Sequence, residues 1–392
     1  MIQFITDIVK TFGGRPGGSD QEKAAQEFAA KTMESFCDTV KVEEFKSPLS
    51  AHFESLKIVS ILYWLSLWIL STYYEQRILL ALGVSALGAI IFIGHFLTYR
   101  HVLDFLFPKE TSWNVEGKIE PTGEVKSTLI VAGHMDSVYE FQWWYHFKTF
   151  GVALNTISGF AYVLLPVYLA ALWLYTYIAP PEGAIMYPYY FFIAISPALL
   201  SMFFMHGEDP VDGAIDNLTG VAIAVEMGKV FSKEKLQHTR IKVVSFGSEE
   251  PALRGSFAYS KMHLDELKKE NAVLINVDTI KEKSQLTIVD KEWNTLVKYP
   301  LDIVQKMEKA FKQADIPYKK KPLPIGASDG SAFMINGIPA ICIIGMDSSH
   351  YDPSYHTRLD NLEHLNPDGL EALKIALVQF IKNWDTEQSL SN

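Results

Sequence analysis

His134 and Asp136 close the stretch TLIVAGHMD, and Glu249 and Glu250 stand side by side after IKVVSFGS. Asp216 opens DNLTGVAIAVEMGKVFSK, Asp278 closes AVLINVD, and His356 lies beyond AICIIG. Imidazoles and carboxylates are the nitrogen and oxygen donors that suit Zn2+. A closed zinc site takes four ligands, and five candidates are present: His134, Asp216, Glu250, Asp278 and His356. That surplus suits two ions sharing a bridging carboxylate, a centre that activates water for hydrolysis. Of the adjacent glutamates, one can bind metal while its neighbour acts as general base. Asp136, two residues past His134, is placed to accept a hydrogen bond from that imidazole and fix it. Each residue alone has an ordinary reading. Asp216-Asn217 could be a helix N-cap, Asn217-Leu-Thr219 fits a glycosylation sequon, and Asp278 could be a turn residue. Their common placement at the ends of apolar stretches favours the site.

The elements that must position these residues alternate in type. Strand-like VKVEEF (40–45), TLIVAGH (128–134), IKVVSFG (241–247), AVLINVD (272–278) and AICIIG (340–345) are separated by helix-like stretches at 219–233, 256–270 and 301–314, and 367–384 closes the series. Continuous apolar strands between helices predict an α/β fold, a mostly parallel central sheet flanked by helices. In such sheets ligands gather at the carboxyl ends of the strands, where these residues fall. Ser19 and Glu22 form a capping box ahead of DQEKAAQEFAAKTMESF.

The chain has 392 residues, 48% of them hydrophobic and 20% charged, which excludes a disordered protein. A net charge of −10 and a pI near 5.6 argue against a nucleic-acid partner. Two cysteines, Cys37 and Cys342, make no disulfide framework. The mean hydropathy of +0.09 is high for a soluble enzyme, and its source is local. Residues 58–74, 78–99, 149–181 and 183–207 contain no Asp, Glu, Lys or Arg. Roughly 20 apolar residues cross a hydrocarbon core, so the runs predict four transmembrane helices in two hairpins, one turning at YEQR and one at the Pro-Pro-Glu-Gly link. Removing them leaves a discontinuous catalytic domain, 1–50, 106–142 and 207–392, with hairpins at 51–105 and 143–206. Lys46, Lys57, Arg100, Lys109 and Lys148 flank the hairpins on the side of that domain, while the distal links offer only Arg77. The positive-inside rule then predicts a multi-pass protein with its catalytic domain on the cytoplasmic side. The opening MIQFITDIVKTFGGRPGGSD lacks the apolar h-region of a secretory signal.

Outside the hairpins the chain resembles the M28 family of zinc metallopeptidases, whose members include aminopeptidases, some carboxypeptidases and related glutaminyl cyclases. The resemblance runs through FGGRPGGSDQEKAAQEF, VAGHMDS, AIDNLTG, SFGSEEPALRGS, NVDT, GASDGSAFMINGIPAI and YHTRLDNLEHLNPDGLEAL, in that order. It implies a zinc-exopeptidase-like fold with two Zn2+ per chain. One ion would be held by His134, Asp216 and Asp278, the other by Asp216, Glu250 and His356, with Asp216 bridging. It implies Glu249 as the base that takes a proton from water and returns it to the departing amine. Tyr355 falls where some members donate a hydrogen bond to the oxyanion, although a packed aromatic fits equally well. The implied substrate is a peptide or other amide.

The chain departs from the family in its two hairpins. The second lies between Asp136 and Asp216, and the expectation is an active site close to the bilayer, with a membrane-associated or hydrophobic-tailed substrate. Trp143, Trp144, Tyr145 and Phe147 at its entrance would line a groove or, more simply, anchor at the interface. The leading reading is a membrane-embedded di-zinc aminopeptidase. A hydrolase of lipid-linked amides keeps the same chemistry, the five-ligand set weighs against a one-zinc cyclase, and intact ligands weigh against a non-catalytic scaffold. A transporter fails because only His95 and His206 interrupt the apolar runs.

Overall fold

A computed structural model describes residues 1–71, 75–347 and 350–390. Thr72, Tyr73 and Tyr74, where the first apolar run ends and the YEQR link begins, lie outside the described residues.

In chain order, helices α1 (Ile2–Phe12) and α2 (Asp20–Met33) precede strand β1 (Thr39–Ser47). Helices α3 (Ala51–Ser71) and α4 (Glu75–Ile91) lead to β2 (Glu110–Ile119) and β3 (Ser127–His134). After β3 come α5 (Gln142–Phe147), α6 (Thr149–Tyr175), α7 (Tyr187–Ile195), α8 (Leu200–Phe203) and α9 (Leu218–Lys233). Strand β4 (Thr239–Phe246), α10 (Arg254–Met262), α11 (Leu264–Lys269), β5 (Ala272–Ile280), β6 (Thr287–Glu292) and α12 (Leu301–Gln313) follow. The chain closes with β7 (Lys319–Leu323), α13 (Asp329–Ile335), β8 (Ala340–Gly345) and α14 (Pro367–Leu390).

The chain divides into two compact units: 1–49, 109–140 and 209–392 in one, 50–108 and 141–208 in the other. The first is built on a mixed sheet in the order β1-β2-β4-β3-β5-β8-β6-β7. Its centre is parallel, β4, β3, β5 and β8 running together, whereas β1, β2 and β6 pair antiparallel. β3 and β8 are buried along their whole length, as strands covered on both faces must be. The antiparallel flank escapes a hydropathy reading because β2 carries Asn114, Glu116 and Lys118, and buried Glu116 pairs with Lys118 and Lys242. The helix expected over 256–270 is two, broken at His263.

Ser19 caps α2 by accepting the amide of Glu22. The return half of the capping box does not form, because the Glu22 carboxylate is drawn to the amides of Gly18 and Ser248. Asn217 caps α9, accepting the amide of Gly220, and it is fully buried, so the sequon at this position is structural.

The second unit has an apolar core of its own, built from α3, α4, α6 and α7. Four of its stretches are long and apolar enough to cross a membrane: Ala51–Ser71, Arg77–Leu97, Thr149–Tyr175 and Gly183–Phe203. The last alternates between α and 3-10 turns around Pro197. Several buried polar groups of this unit pair internally. Ser60 and Tyr162 share a hydrogen bond of 2.6 Å, Tyr63 donates to the Phe192 carbonyl, and Ser66 donates to the Ala81 carbonyl. Trp68, Ile90, Phe160, Val167 and Phe191 are exposed.

Candidate metal centre

The five ligand candidates converge beside the carboxyl ends of the inner parallel strands, all within the first unit. His134 ends β3, Asp278 lies near the end of β5 at a register shift, and Asp216 directly precedes the capped start of α9. Glu249 and Glu250 sit in the loop after β4, and His356 in the loop after β8. Ser248, Thr279 and His356 have φ of 50°, 47° and 58°. Left-handed backbone in non-glycine residues is strained, and here it marks the turns that present the ligands.

Candidate ligand atoms of His134, Asp216 and Asp278 lie within 4.8 Å of one another, as do those of Asp216, Glu250 and His356. Asp216 belongs to both sets and divides its oxygens between them. Its Oδ1 is 3.3 Å from Nε2 of His134, and its Oδ2 is 3.4 Å from Nε2 of His356. Glu250 lies 3.4 Å from the same His356 nitrogen. These spacings exceed a charge-assisted hydrogen bond of about 2.7–2.9 Å. They match the edge of a tetrahedron around an ion about 2.0–2.1 Å from each ligand, which is about 3.3 Å. Glu249 joins His134 and Glu250 in a third group of the same spacing, its Oε2 3.7 Å from Nε2 of His134.

The electrostatics point the same way. Burial is the largest influence on every carboxylate in the cluster. It pushes Glu249 well above the usual range, aided by the charges of Asp329, Glu250 and Asp278. It likewise raises Glu250, with Asp216 contributing, and lifts Asp278 to about 6. Asp216 alone is held low, since hydrogen bonds and charge from both histidines outweigh its burial. Among the described residues, Glu250 Oε1 is buried without a hydrogen-bond partner. So much buried negative charge, with an orphaned oxygen and two imidazoles, fits divalent cations.

Asp136 takes a larger part than its spacing predicts. Nδ1 of His134 lies 3.2 Å from the Asp136 main-chain oxygen and 3.4 Å from its Oδ1, so an Nδ1–H leaves Nε2 free as the ligand atom. The Asp136 carboxylate itself accepts the amides of Glu249, at 2.9 Å, and Glu250, at 3.0 Å. Tyr355 stacks on the His356 ring with centroids 3.9 Å apart. Burial, with the surrounding carboxylates, pushes its phenol well up. Its loop is fastened by Lys281 to Asp352, at 2.7 Å, and by Arg358 to buried Glu140, at 2.8 Å.

Three residues at the site carry no role in the sequence reading. Asp329, at the start of α13, is fully buried. Burial raises it to about 7, and its charge is the largest carboxylate influence raising Glu249. Arg15 is fully buried, and Asp360 accepts the amides of Ile215 and Asp216. Asp329 and Asp360 stand in the quoted motifs GASDG and YHTRLD, so the signal was the motif; for Arg15 it was an arginine between two glycine pairs.

Residues 200–381 match Peptidase family M28. No protein of curated function matches the chain at the sequence level. Among solved structures, the zinc aminopeptidase BSAP from Bacillus subtilis superposes with a TM-score of 0.57 at 14% identity, over 98% of this chain and 94% of that one. An aminopeptidase from Aneurinibacillus sp. strain AM-1 gives 0.54 at 14% identity, over 97% and 93%. A glutaminyl cyclase from Bacteroides thetaiotaomicron gives 0.57 at 16% identity, over 97% and 96%. At these identities the likeness is one of fold.

Proposed function

We propose that this chain, which belongs to peptidase family M28, is a membrane-embedded di-zinc aminopeptidase, removing N-terminal residues from peptides. The observation that carries this reading is Asp216 presenting one oxygen to each histidine at 3.3 and 3.4 Å. His134, Asp216 and Asp278 would hold one ion, and Asp216, Glu250 and His356 the other. Zinc bound there would polarise the scissile carbonyl and acidify water.

The remaining steps belong to side chains. Glu249 takes the proton from the attacking water and passes it to the departing amine. Burial beside other carboxylates raises its proton affinity, which suits a base that must hold a proton between two steps. Asp136 fixes the main chain of Glu249 and Glu250 through their amides. Tyr355 keeps its proton across the neutral range and serves as a donor to the oxyanion. The four apolar spans fix the protein in the bilayer, and the lysines and arginine flanking the first unit favour a cytoplasmic catalytic side.

The test is a screen of aminoacyl, peptidyl and lipid-linked amides with the detergent-purified chain, beside Glu249→Ala and a chelator control. Glu249→Ala should lose at least about 10²-fold in turnover while keeping two zinc ions per chain. Undiminished activity in that variant removes Glu249 from the mechanism. A substrate with N-terminal glutamine separates hydrolysis from the cyclisation suggested by the glutaminyl cyclase neighbour: release of pyroglutamyl peptide, with no free glutamine, would replace the peptidase reading.

A further inference from the structure

The shared ligand is not held by regular secondary structure. Residues 211–213 form neither helix nor strand, and 214–217 form only a turn ahead of α9. Their backbone groups must therefore find partners elsewhere. The carbonyls of Asp212 and Gly213 accept from the Arg15 guanidinium at 2.7 and 3.2 Å. The amides of Ile215 and Asp216 donate to the two oxygens of Asp360 at 2.6 and 3.1 Å. The Ile215 carbonyl accepts from the Thr219 hydroxyl. One buried guanidinium thus holds the carbonyl end of this segment, and one buried carboxyl group holds its amide end.

Both side chains also bind the other sides of the metal centre. Arg15 donates from Nε to the carbonyl of Met135, the residue after His134, at 2.9 Å. Its backbone exchanges hydrogen bonds with Ser137, whose hydroxyl in turn donates to the Val211 carbonyl. Asp360 lies four residues past His356 on the same loop, and that loop is closed by the Asp360 amide on the Thr357 carbonyl. Arg15 therefore links the His134 turn to the Asp216 segment, and Asp360 links that segment to the His356 loop. The space is closely filled: a Cβ at Gly213 would lie 2.6 Å from the Ser137 side chain and 3.0 Å from Arg15.

We propose that Arg15 and Asp360 are the positioning residues of the bridging carboxylate, together setting the 212–216 backbone so that Asp216 can serve both histidines. The GGRPGG segment, far in sequence from every ligand, is on this view part of the framework of the metal centre. The proposal rests on the di-zinc reading of Asp216. Lysine at position 15 keeps the charge, but its single nitrogen cannot reach the Met135 carbonyl and both carbonyls of the 212–213 segment. Asparagine at position 360 keeps one acceptor and turns an NH2 group against the second amide.

The experiment measures zinc per chain by elemental analysis, using full-length detergent-purified protein equilibrated against a series of buffered zinc concentrations. Arg15→Lys and Asp360→Asn are compared with wild type and with Arg240→Lys, a partly buried arginine paired with Glu120 and Glu270 away from the site. Far-UV circular dichroism and the melting of the zinc-free protein report on the fold independently. The expected result is a loss of about 10–100-fold in zinc affinity for both site variants, with wild-type spectra and no change for Arg240→Lys. Wild-type zinc affinity in a folded Asp360→Asn overturns the proposal, even if its zinc-free melting point falls. Should Arg15→Lys fail to fold, Asp360→Asn alone decides. A wild-type chain that binds fewer than two zinc ions refutes the di-zinc reading itself, whereas two ions in wild type with unchanged zinc affinity in both folded variants refute only the positioning.

Discussion

Replacing Asp136 by asparagine changes no ligand and no proton carrier, yet it should cripple the site. The wild-type carboxylate is fully buried and accepts the amides of Glu249 and Glu250 at 2.9 and 3.0 Å. Hydrogen bonds to a charged group contribute about 1.5–3 kcal/mol each. Asparagine retains one of the two and sets a donor against the other amide, so the local cost is about 2–3 kcal/mol. The Glu249-Glu250 backbone relaxes, and a displacement of about 1 Å at a reacting group costs on the order of 10²-fold in rate. The expected phenotype is a kcat reduced about 10²-fold and a KM changed far less, because the substrate contacts are elsewhere. Initial rates over a substrate range give both constants, and zinc content measured beside them separates misplacement of Glu249 from loss of Glu250 as a ligand. A folded Asp136→Asn variant with the wild-type kcat would refute the reasoning, since the two amides would then be held by something other than this carboxylate.

Removal of the ions should destabilise the first unit. Ligands that bind only the folded state at a hundred times Kd stabilise it by about 2.7 kcal/mol, so chelation should lower the melting temperature of wild type and Glu249→Ala alike, and zinc should restore both. An unchanged melting temperature would contradict the ligand assignment. A second prediction concerns His263, whose Nε2 lies 2.7 Å from Glu43 and whose Nδ1 lies 3.2 Å from Glu266. The hydrogen bond with Glu43 raises its pKa in the fold, so its stabilising contribution is complete below the unfolded value of about 6.5 and fades as pH rises through the folded value. His263→Gln should therefore cost more stability at pH 6 than at pH 9, and denaturant titrations showing the reverse order would exclude the ion pair as its source.

How much of this was legible in the sequence depended on whether a residue acts through its own type or through contacts that folding makes. The central parallel strands announce themselves because β3, β5 and β8 are continuous apolar runs. β7 does not, since KKKPL is short, polar and at the sheet edge. The candidate ligands and Glu249 are readable because Asp216 opens a helix and the others follow apolar strands, and the metal-binding chemistry of imidazole and carboxylate is carried in the residue type. Arg15 and Asp360 bind main-chain groups, and any residue has those. Only the fold shows which amides and carbonyls lack partners in helix or sheet. Glu22 illustrates the same limit: the capping-box spacing is present, but the carboxylate is drawn to Ser248, whose amide precedes the two glutamates.

The apolar insertions enter the catalytic unit where antiparallel segments already close. Ser47, the last residue of β1, pairs with Glu110, the first of β2, so the first insertion occupies the place of a β-hairpin turn. At the second, the Glu140 amide donates to the Asp209 carbonyl, Tyr139 bridges Pro210, and the Val211 amide donates to the Val138 carbonyl. In both cases the chain leaves and returns through neighbouring residues. Lengthening a closed loop costs little, about 0.6 kcal/mol for each doubling. The strand pairings and the candidate-ligand contacts described above lie within the first unit. The second insertion nonetheless starts one residue after Glu140, and Glu140 accepts both the amide and the guanidinium of Arg358, two residues from His356.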